Sequence, residues 1–269
     1  MKYPIGIQSF EQIIEDGYAY IDKTDLVYKL THEGKIYFLS RPRRFGKSLL
    51  VSTLKNYFLG HKELFEGLKI YNMEKDWNTY PVFHVDFNGS NFTVPGELEQ
   101  KIRFHVSEWE KHYNLPCREE ELGIGDRFAE VLRAAHAQTG RRAVVLIDEY
   151  DKPILDVLDV DTSLEDRHRN VLKAFYSVFK VADSHLQFVL LTGVTKFSQV
   201  SVFSGFNQPK DISMDARYET LCGITQEELD SYFVEPITAM AKKNRCSFDE
   251  MKFLLKQKYD GYHFSENMT

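Results

Sequence analysis

The sequence predicts an α/β fold in which a parallel sheet is flanked by helices and followed by a small helical subdomain. Two observations lead to this prediction. Short apolar runs rich in β-branched and aromatic residues alternate with longer segments of helical periodicity, and each run is closed by polar residues or glycine. Strands that alternate with helices are typical of a parallel sheet covered on both faces.

The first predicted strand is IYFLS, residues 36–40, and a helix is predicted in GKSLLVSTLKNYFLG, residues 46–60, with a stop at Gly60. Further strands are predicted within residues 81–89, 143–151 and 187–194, and helices within residues 96–113, 125–140 and 163–180. We expect the strand before Arg41 to be central, flanked by the strands that end near Asp148 and Thr192.

After about Ser204 the sequence is typical of loops, with at most a short strand, until two helices with capping signals. Thr225 followed by Glu228 forms a capping-box pattern, and Ser247 precedes a second helix. We therefore predict a core domain over residues 1–222 and a helical subdomain over residues 223–269. The abrupt close at SENMT is interpreted as truncation of that subdomain.

Composition argues against several classes of protein. A formal charge of -6 disfavours a protein that coats nucleic acid over its whole surface, although a local basic patch at Arg41–Arg44 remains. The three distant cysteines form no CxxC pair, which disfavours a disulfide framework and a cysteine zinc site. The chain begins without the apolar core of a signal peptide, and no apolar run approaches the roughly 20 residues that span a bilayer. We expect a cytoplasmic protein without membrane association.

The segment SRPRRFGKSLL, Ser40–Leu50, predicts a phosphate-binding loop. In the usual Walker A pattern, G-x-x-x-x-G-K-[ST], backbone amides cradle phosphates, the lysine reaches the terminal phosphates and the hydroxyl residue binds Mg²⁺. Gly46, Lys47 and Ser48 fit this pattern, whereas Arg41 replaces the first glycine. The predicted nucleotide contacts are Arg43, Arg44, Phe45, Gly46, Lys47, Ser48 and Leu49. For Arg43 and Arg44, a role beside the phosphates and a surface position are both open.

The second half of the predicted site is AVVLIDEYD, which resembles a Walker B strand. Asp148 is expected to hold Mg²⁺ with Ser48, and Glu149 to activate the attacking water. Thr192, at the end of another strand, is the candidate sensor of the γ-phosphate, with Thr195 and Lys196 as competitors. Tyr20, shortly before the first strand, is the candidate adenine contact, with core packing as the alternative.

Seven segments in this order resemble the bacterial AAA-ATPase-like family: YIDKT, RPRRFGKS, VLIDEYDKP, LLTGVTKFS, FSGFNQPKDIS, LCGITQEEL and YDGYHFS. The Arg-for-Gly loop start is part of that family's pattern. The resemblance implies a P-loop NTPase core of the additional-strand type that uses ATP and Mg²⁺. Family members often carry a C-terminal PD-(D/E)xK nuclease-like domain, which is absent from this sequence.

The leading functional prediction is a Mg²⁺-dependent ATPase that couples hydrolysis to movement of the helical subdomain or of a fused or bound effector. One alternative is a nucleotide-gated switch that hydrolyses little ATP. A second is an ATPase that acts on nucleic acid through a nuclease-like domain. Arg167, Arg169 and Arg217 are open candidates for an arginine finger, and a finger from another subunit would require an oligomer.

Overall fold

The computed structural model describes residues 1–195, 209–259, 261–262 and 264–265. In this part of the chain, five parallel strands form one sheet in the order β2-β3-β4-β1-β5. The strands are β1 Ile36–Ser40, β2 Val82–Asp86, β3 Ala143–Asp148, β4 Leu186–Gly193 and β5 Lys210–Asp211. The predicted α/β class and parallel sheet are confirmed, and the architecture is consistent with a P-loop NTPase-like fold.

Helices flank the sheet. They are α1 Phe10–Glu15, α2 Thr24–Glu33, α3 Lys47–Phe58, α4 Lys69–Met73, α5 Glu97–His112, α6 Ile124–Thr139, α7 Lys152–Leu155, α8 Thr162–Tyr176, α9 Val178–Val181, α10 Gln226–Tyr232, α11 Val234–Asn244 and α12 Phe248–Tyr259. The helices predicted before Gly223 appear as α3, α5, α6 and the pair α8 and α9. The sequence analysis did not predict α1 and α2, which precede the first strand.

Of the two predicted neighbours of β1, the strand that ends near Thr192 is confirmed and the strand that ends near Asp148 is wrong. β1 pairs with β4, as Leu39 opposite Thr192 shows, but its other neighbour is the two-residue β5. β3 lies beyond β4 and pairs with it, as Ile147 opposite Leu191 shows. The additional strand β4 therefore separates β1 from β3. Apolar patterning identifies strands, whereas their order depends on crossover connections that the pattern does not encode.

Both faces of the sheet are buried, which explains the continuous apolar runs in its central strands. All six residues of β3 are buried. Val145 and Ile147 belong to the core on one face, together with α5 and α6, and Val144 and Leu146 belong to the core on the other face, together with α3. This alternation assigns successive residues of β3 to opposite faces, and the parallel pairing of all five strands brings their carboxyl ends to one edge.

The helical segment after Gly223 has a small core of its own around Ile237, Ala241 and Met251. The Thr225–Glu228 capping box is confirmed, and Ser247 exchanges equivalent hydrogen bonds with Glu250. Lys23 ties this segment to the sheet-containing part through an ion pair with Glu228 at 2.9 Å. The division into domains at residue 222 stays a prediction.

Within the described residues, no helix combines the length and apolar character needed to cross a bilayer.

Candidate nucleotide site

The loop between β1 and α3 lies at the carboxyl edge of the sheet. Its last residue, Gly46, has a φ of 87°, a left-handed conformation that glycine adopts without steric cost. Lys47 begins α3, so the loop leads directly to a helix N-terminus, where unpaired backbone N–H groups and the helix dipole favour an anion. Gly46 therefore occupies the position where the backbone must turn sharply into the helix.

Arg41, at the position of the missing glycine, holds the start of the loop in place, and we call its hydrogen bonds to Ser213 and Tyr218 the Arg41 clamp. Its side chain is 1% exposed and donates hydrogen bonds to the carbonyl oxygens of Ser213 at 2.6 Å and Tyr218 at 3.3 Å. Its guanidinium also lies 4.2 Å from the ring centre of Phe264. Burial lowers the pKa of Arg41, and the nearby Asp211 carboxylate opposes that shift. The arginine thus fastens the start of the loop to a distant segment, which local sequence patterns could not show.

Lys47 is almost fully buried and is held by the loop itself. Its Nζ donates to the carbonyl oxygen of Arg41 at 3.1 Å and to that of Pro42 at 3.4 Å. The same Nζ lies 3.4 Å from Oε1 of Glu149. The structure therefore brings the loop lysine and the second acid of the DEYD segment into direct contact.

Asp148 and Thr192 meet at the ends of β3 and β4. The Thr192 hydroxyl donates to Oδ1 of Asp148 at 2.5 Å, and both side chains are at most 2% exposed. Because Thr192 lies in the additional strand between β1 and β3, it is within reach of the strand-end acid. The structure brings these two predicted residues together, although their roles stay predictions.

Glu149 leaves β3 in the left-handed region, with a φ of 54°. This conformation is unfavourable for a residue with a side chain and is held by the surrounding contacts. Burial raises the pKa of Glu149, the Lys47 ammonium opposes that shift, and the Asp148 and Asp151 carboxylates add to it. The carboxyl group thus has the partly buried, acid-rich surroundings that favour proton uptake.

Ser48 and Asp148 carry the hydroxyl and carboxylate oxygens that suit Mg²⁺ as a hard cation. Ser48 lies in the first turn of α3, partly exposed. Across the described residues, no three His, Cys, Asp or Glu side chains converge on a common point.

The other predicted contacts have different surroundings. Arg43 and Arg44 are exposed on the loop, and Leu49 packs partly against the core. Phe45 forms edge-to-face contacts with Tyr262 and Phe264, at centroid distances of 4.8 Å and 5.5 Å. The sequence analysis missed this aromatic contact.

Tyr20 packs in the core against Phe10, and its hydroxyl lies 3.4 Å from Oγ1 of Thr53 in α3. Burial raises its pKa. These contacts match the alternative of core packing, and the adenine role stays a prediction. Thr195 lies in the loop after β4, and Lys196 falls outside the described residues.

The three arginine-finger candidates each contact an acid in the described structure. Arg167 pairs with Glu99, Arg169 with Glu165, and Arg217 with Asp215 and Glu33.

Comparisons with known proteins agree with this architecture. Residues 4–203 match the family model described as "AAA-ATPase_like: Predicted AAA-ATPase". The chain is also similar to the "Uncharacterized protein in vnfD 5'region" of Azotobacter chroococcum mcd 1, with 42% identity over 269 residues, which is 98% of this chain. The chain spans about half of that relative's length, 49%. The family match covers most of the sequence and supports ATP binding. The chain belongs to the AAA-ATPase-like family.

Proposed function

We propose that this chain binds ATP with Mg²⁺ and hydrolyses it, and that nucleotide binding alters contacts between the phosphate loop and the helical segment after Gly223. The observation that carries the proposal is the 3.4 Å contact between Lys47 Nζ and Glu149 Oε1. It joins a phosphate-binding lysine to an acid that can serve as the base, at the N-terminus of α3 where an anion is favoured.

ATP binding would use the loop backbone and Lys47. The phosphates would accept hydrogen bonds from amides around Gly46 and at the start of α3. The Lys47 ammonium would exchange the Arg41 and Pro42 carbonyls for phosphate oxygens, which carry full negative charge and form stronger hydrogen bonds. Mg²⁺ held by Ser48 and Asp148 would neutralise charge on the phosphates.

Hydrolysis would place Glu149 beside the attacking water. The water oxygen forms a bond to the γ-phosphorus, the bond from that phosphorus to the oxygen of ADP breaks, and the water proton passes to the Glu149 carboxylate. Burial, which raises the pKa of Glu149, makes the carboxylate a better proton acceptor. The Thr192 hydroxyl donates a hydrogen bond to Asp148 at the carboxyl edge of the sheet and would orient the Asp148 carboxylate.

Movement of the loop would reach the helical segment through two direct links. The Phe45 carbonyl accepts a hydrogen bond from the Gly223 amide at 2.9 Å, and the Phe45 ring contacts Tyr262 and Phe264. Both links involve Phe45, the residue directly before Gly46, so a backbone change in the loop on nucleotide binding would be transmitted to the helical segment through them. We propose that residues 223–269 are the moving subdomain. In a longer protein of this family, they would pass the movement to the domain attached at their C-terminal end.

The first experiment measures phosphate release and ATP binding by the same purified chain, with and without Mg²⁺. Mg²⁺-dependent phosphate release supports the ATPase. The Lys47–Glu149 contact also supports a second candidate, a switch in which the base stays engaged by the lysine. ATP that binds tightly and is recovered unhydrolysed would replace the ATPase with the switch. Failure to bind ATP would refute both.

A further inference from the structure

Asp151 lies just beyond β3 and binds the loop after β4. Its Oδ2 accepts hydrogen bonds from the Val194 amide at 2.9 Å, the Thr195 amide at 2.7 Å and the Thr195 hydroxyl at 2.8 Å. The side chain is 1% exposed. A buried carboxylate is costly unless donors compensate its charge, and here three donors converge on one oxygen.

Tyr150 adds two hydrogen bonds between the same segments. Its backbone amide donates to the Thr192 carbonyl at 2.9 Å, and its hydroxyl donates to the Thr195 carbonyl at 3.0 Å. The residues on either side of Gly193 are therefore fixed to the end of β3. Since Thr192 lies within this fixed stretch, the position of its hydroxyl beside Asp148 depends on it.

Gly193 shows how closely the two segments approach. A Cβ at this position would lie 2.5 Å from Cδ1 of Tyr150 and 2.8 Å from Oδ1 of Asp151, distances that atoms do not tolerate without a shift. Oδ1 is buried and has no hydrogen-bond partner in the described part of the chain. The carboxylate thus faces the backbone of β4 with one oxygen and holds the loop with the other.

We propose that Asp151 is a positioning residue of the hydrolytic site, which locks residues 193–195 onto the end of β3 and so holds Thr192 against Asp148. It is not a second base in this assignment, because Oδ2 is occupied by three donors and Oδ1 is buried against the backbone of β4. The assignment rests on the proposed ATP hydrolysis.

The test compares Asp151→Asn with Asp151→Ala. Asparagine can present its amide oxygen to the three donors, so turnover should stay within about tenfold of wild type. The decrease reflects a neutral acceptor, which is weaker than a charged one, and an amide nitrogen at the buried Oδ1 position, where no acceptor is described. Alanine leaves two amides and a hydroxyl without their acceptor. A displacement of the reacting groups by about 1 Å can cost about 100-fold, and we expect kcat to fall by that order.

Further measurements separate positioning from general loss of structure. KM for ATP should change little in Asp151→Ala, because Lys47 and the phosphate loop are not altered. The ATP-binding stoichiometry of the variant gives the fraction of folded protein, to which its kcat is normalised. Hydrogen exchange of a peptide covering residues 193–195 should accelerate in Asp151→Ala but not in Asp151→Asn. Asp156→Asn is the matched control. Asp156 directly follows α7 and pairs with Lys152 at 2.7 Å, and its substitution should retain wild-type kinetics.

An inactive Asp151→Asn protein beside an active wild type would overturn the assignment, because the charge and not the hydrogen bonds would then matter. Unchanged exchange in Asp151→Ala, or a full turnover rate in that variant, would overturn it as well. A wild type that binds ATP and releases no phosphate would refute the proposed hydrolysis itself, and the positioning role in hydrolysis would fail with it.

Discussion

Glu149→Gln is expected to separate ATP binding from hydrolysis. Glutamine keeps the size of the side chain and one carbonyl oxygen but cannot take up the water proton. Loss of general-base assistance typically costs about 100- to 10,000-fold in rate, which corresponds to about 2.7 to 5.4 kcal/mol of activation free energy. We expect phosphate release to fall within that range.

ATP affinity should rise in the same variant because Lys47 is released. Two unit charges 3.4 Å apart attract by about 5 kcal/mol at an effective dielectric constant of about 20. Desolvation of the two groups offsets most of this attraction. The net stabilisation of the Lys47–Glu149 pair in the nucleotide-free protein is therefore about 1 to 2 kcal/mol, and Glu149→Gln removes it. ATP no longer competes with Glu149 for the lysine, and the dissociation constant should fall by about 5- to 30-fold.

The assay combines fluorescent-nucleotide binding with phosphate release at one salt concentration. Glu165→Gln is the matched control, because Glu165 is 16% exposed and ion-paired with Arg169 at 2.6 Å, compared with 15% exposure for Glu149. It should leave both measurements unchanged. Full turnover in Glu149→Gln would show that the base lies elsewhere, and weaker ATP binding would refute the account of the Lys47–Glu149 pair.

Three further substitutions test other contacts of the site. Lys47→Ala should weaken ATP binding by at least about tenfold and lower turnover, since a charge-assisted hydrogen bond contributes about 1.5 to 3 kcal/mol. Lys55→Ala, on the exposed face of α3, is the control. Equal ATP affinities of Lys47→Ala and wild type would mean that RPRRFGKS is not a phosphate loop. Arg41→Met should lower the free energy of unfolding by about 2 to 4 kcal/mol, because the buried Ser213 and Tyr218 carbonyls lose their donor. Urea denaturation measures this, and a change below about 0.5 kcal/mol, the size typical of surface substitutions, contradicts the clamp. Thr192→Val should raise the Mg²⁺ concentration needed for half-maximal turnover several-fold, because the Asp148 carboxylate loses its hydrogen-bond donor. An unchanged Mg²⁺ dependence would contradict the proposal that Thr192 orients Asp148.

The strands were predictable because each is a local apolar run. β1 has the predicted bounds, and β4 differs by one residue at each end. The prediction for β3 extends three residues too far, since Tyr150 favours strands by type, whereas the positive φ of Glu149 ends the strand. Local pattern therefore identifies strands well but misses a backbone conformation imposed by surrounding contacts.

The residues of the candidate site were chosen from the sequence, and their roles stay predictions, but their contacts with distant segments could not be predicted. Lys47, Asp148, Glu149 and Thr192 follow from motif spacing and strand ends. The clamp by Arg41 depends on Ser213, 172 residues further along the chain, and no periodicity or spacing carries that information. The sequence analysis noted only that Arg41 replaces the first glycine of the pattern, and the structure shows that its side chain fastens the loop to the segment beyond β5.

These connections give the Lys47–Glu149 contact a mechanistic consequence under the proposed function. One ammonium group must serve either the base or the phosphates, because it lies within 3.4 Å of Glu149 and of the loop carbonyls at rest. When ATP draws Lys47 toward the terminal phosphates, the attraction that opposes proton uptake by Glu149 weakens, and the buried carboxyl becomes more basic. Without nucleotide, the Glu149 carboxylate stays paired with the Lys47 ammonium. We propose that the same movement would also shift the backbone at Phe45, which contacts Gly223 and Tyr262. Activation of the base and displacement of the helical segment would thus result from a single event, the transfer of one lysine from protein oxygens to phosphate oxygens.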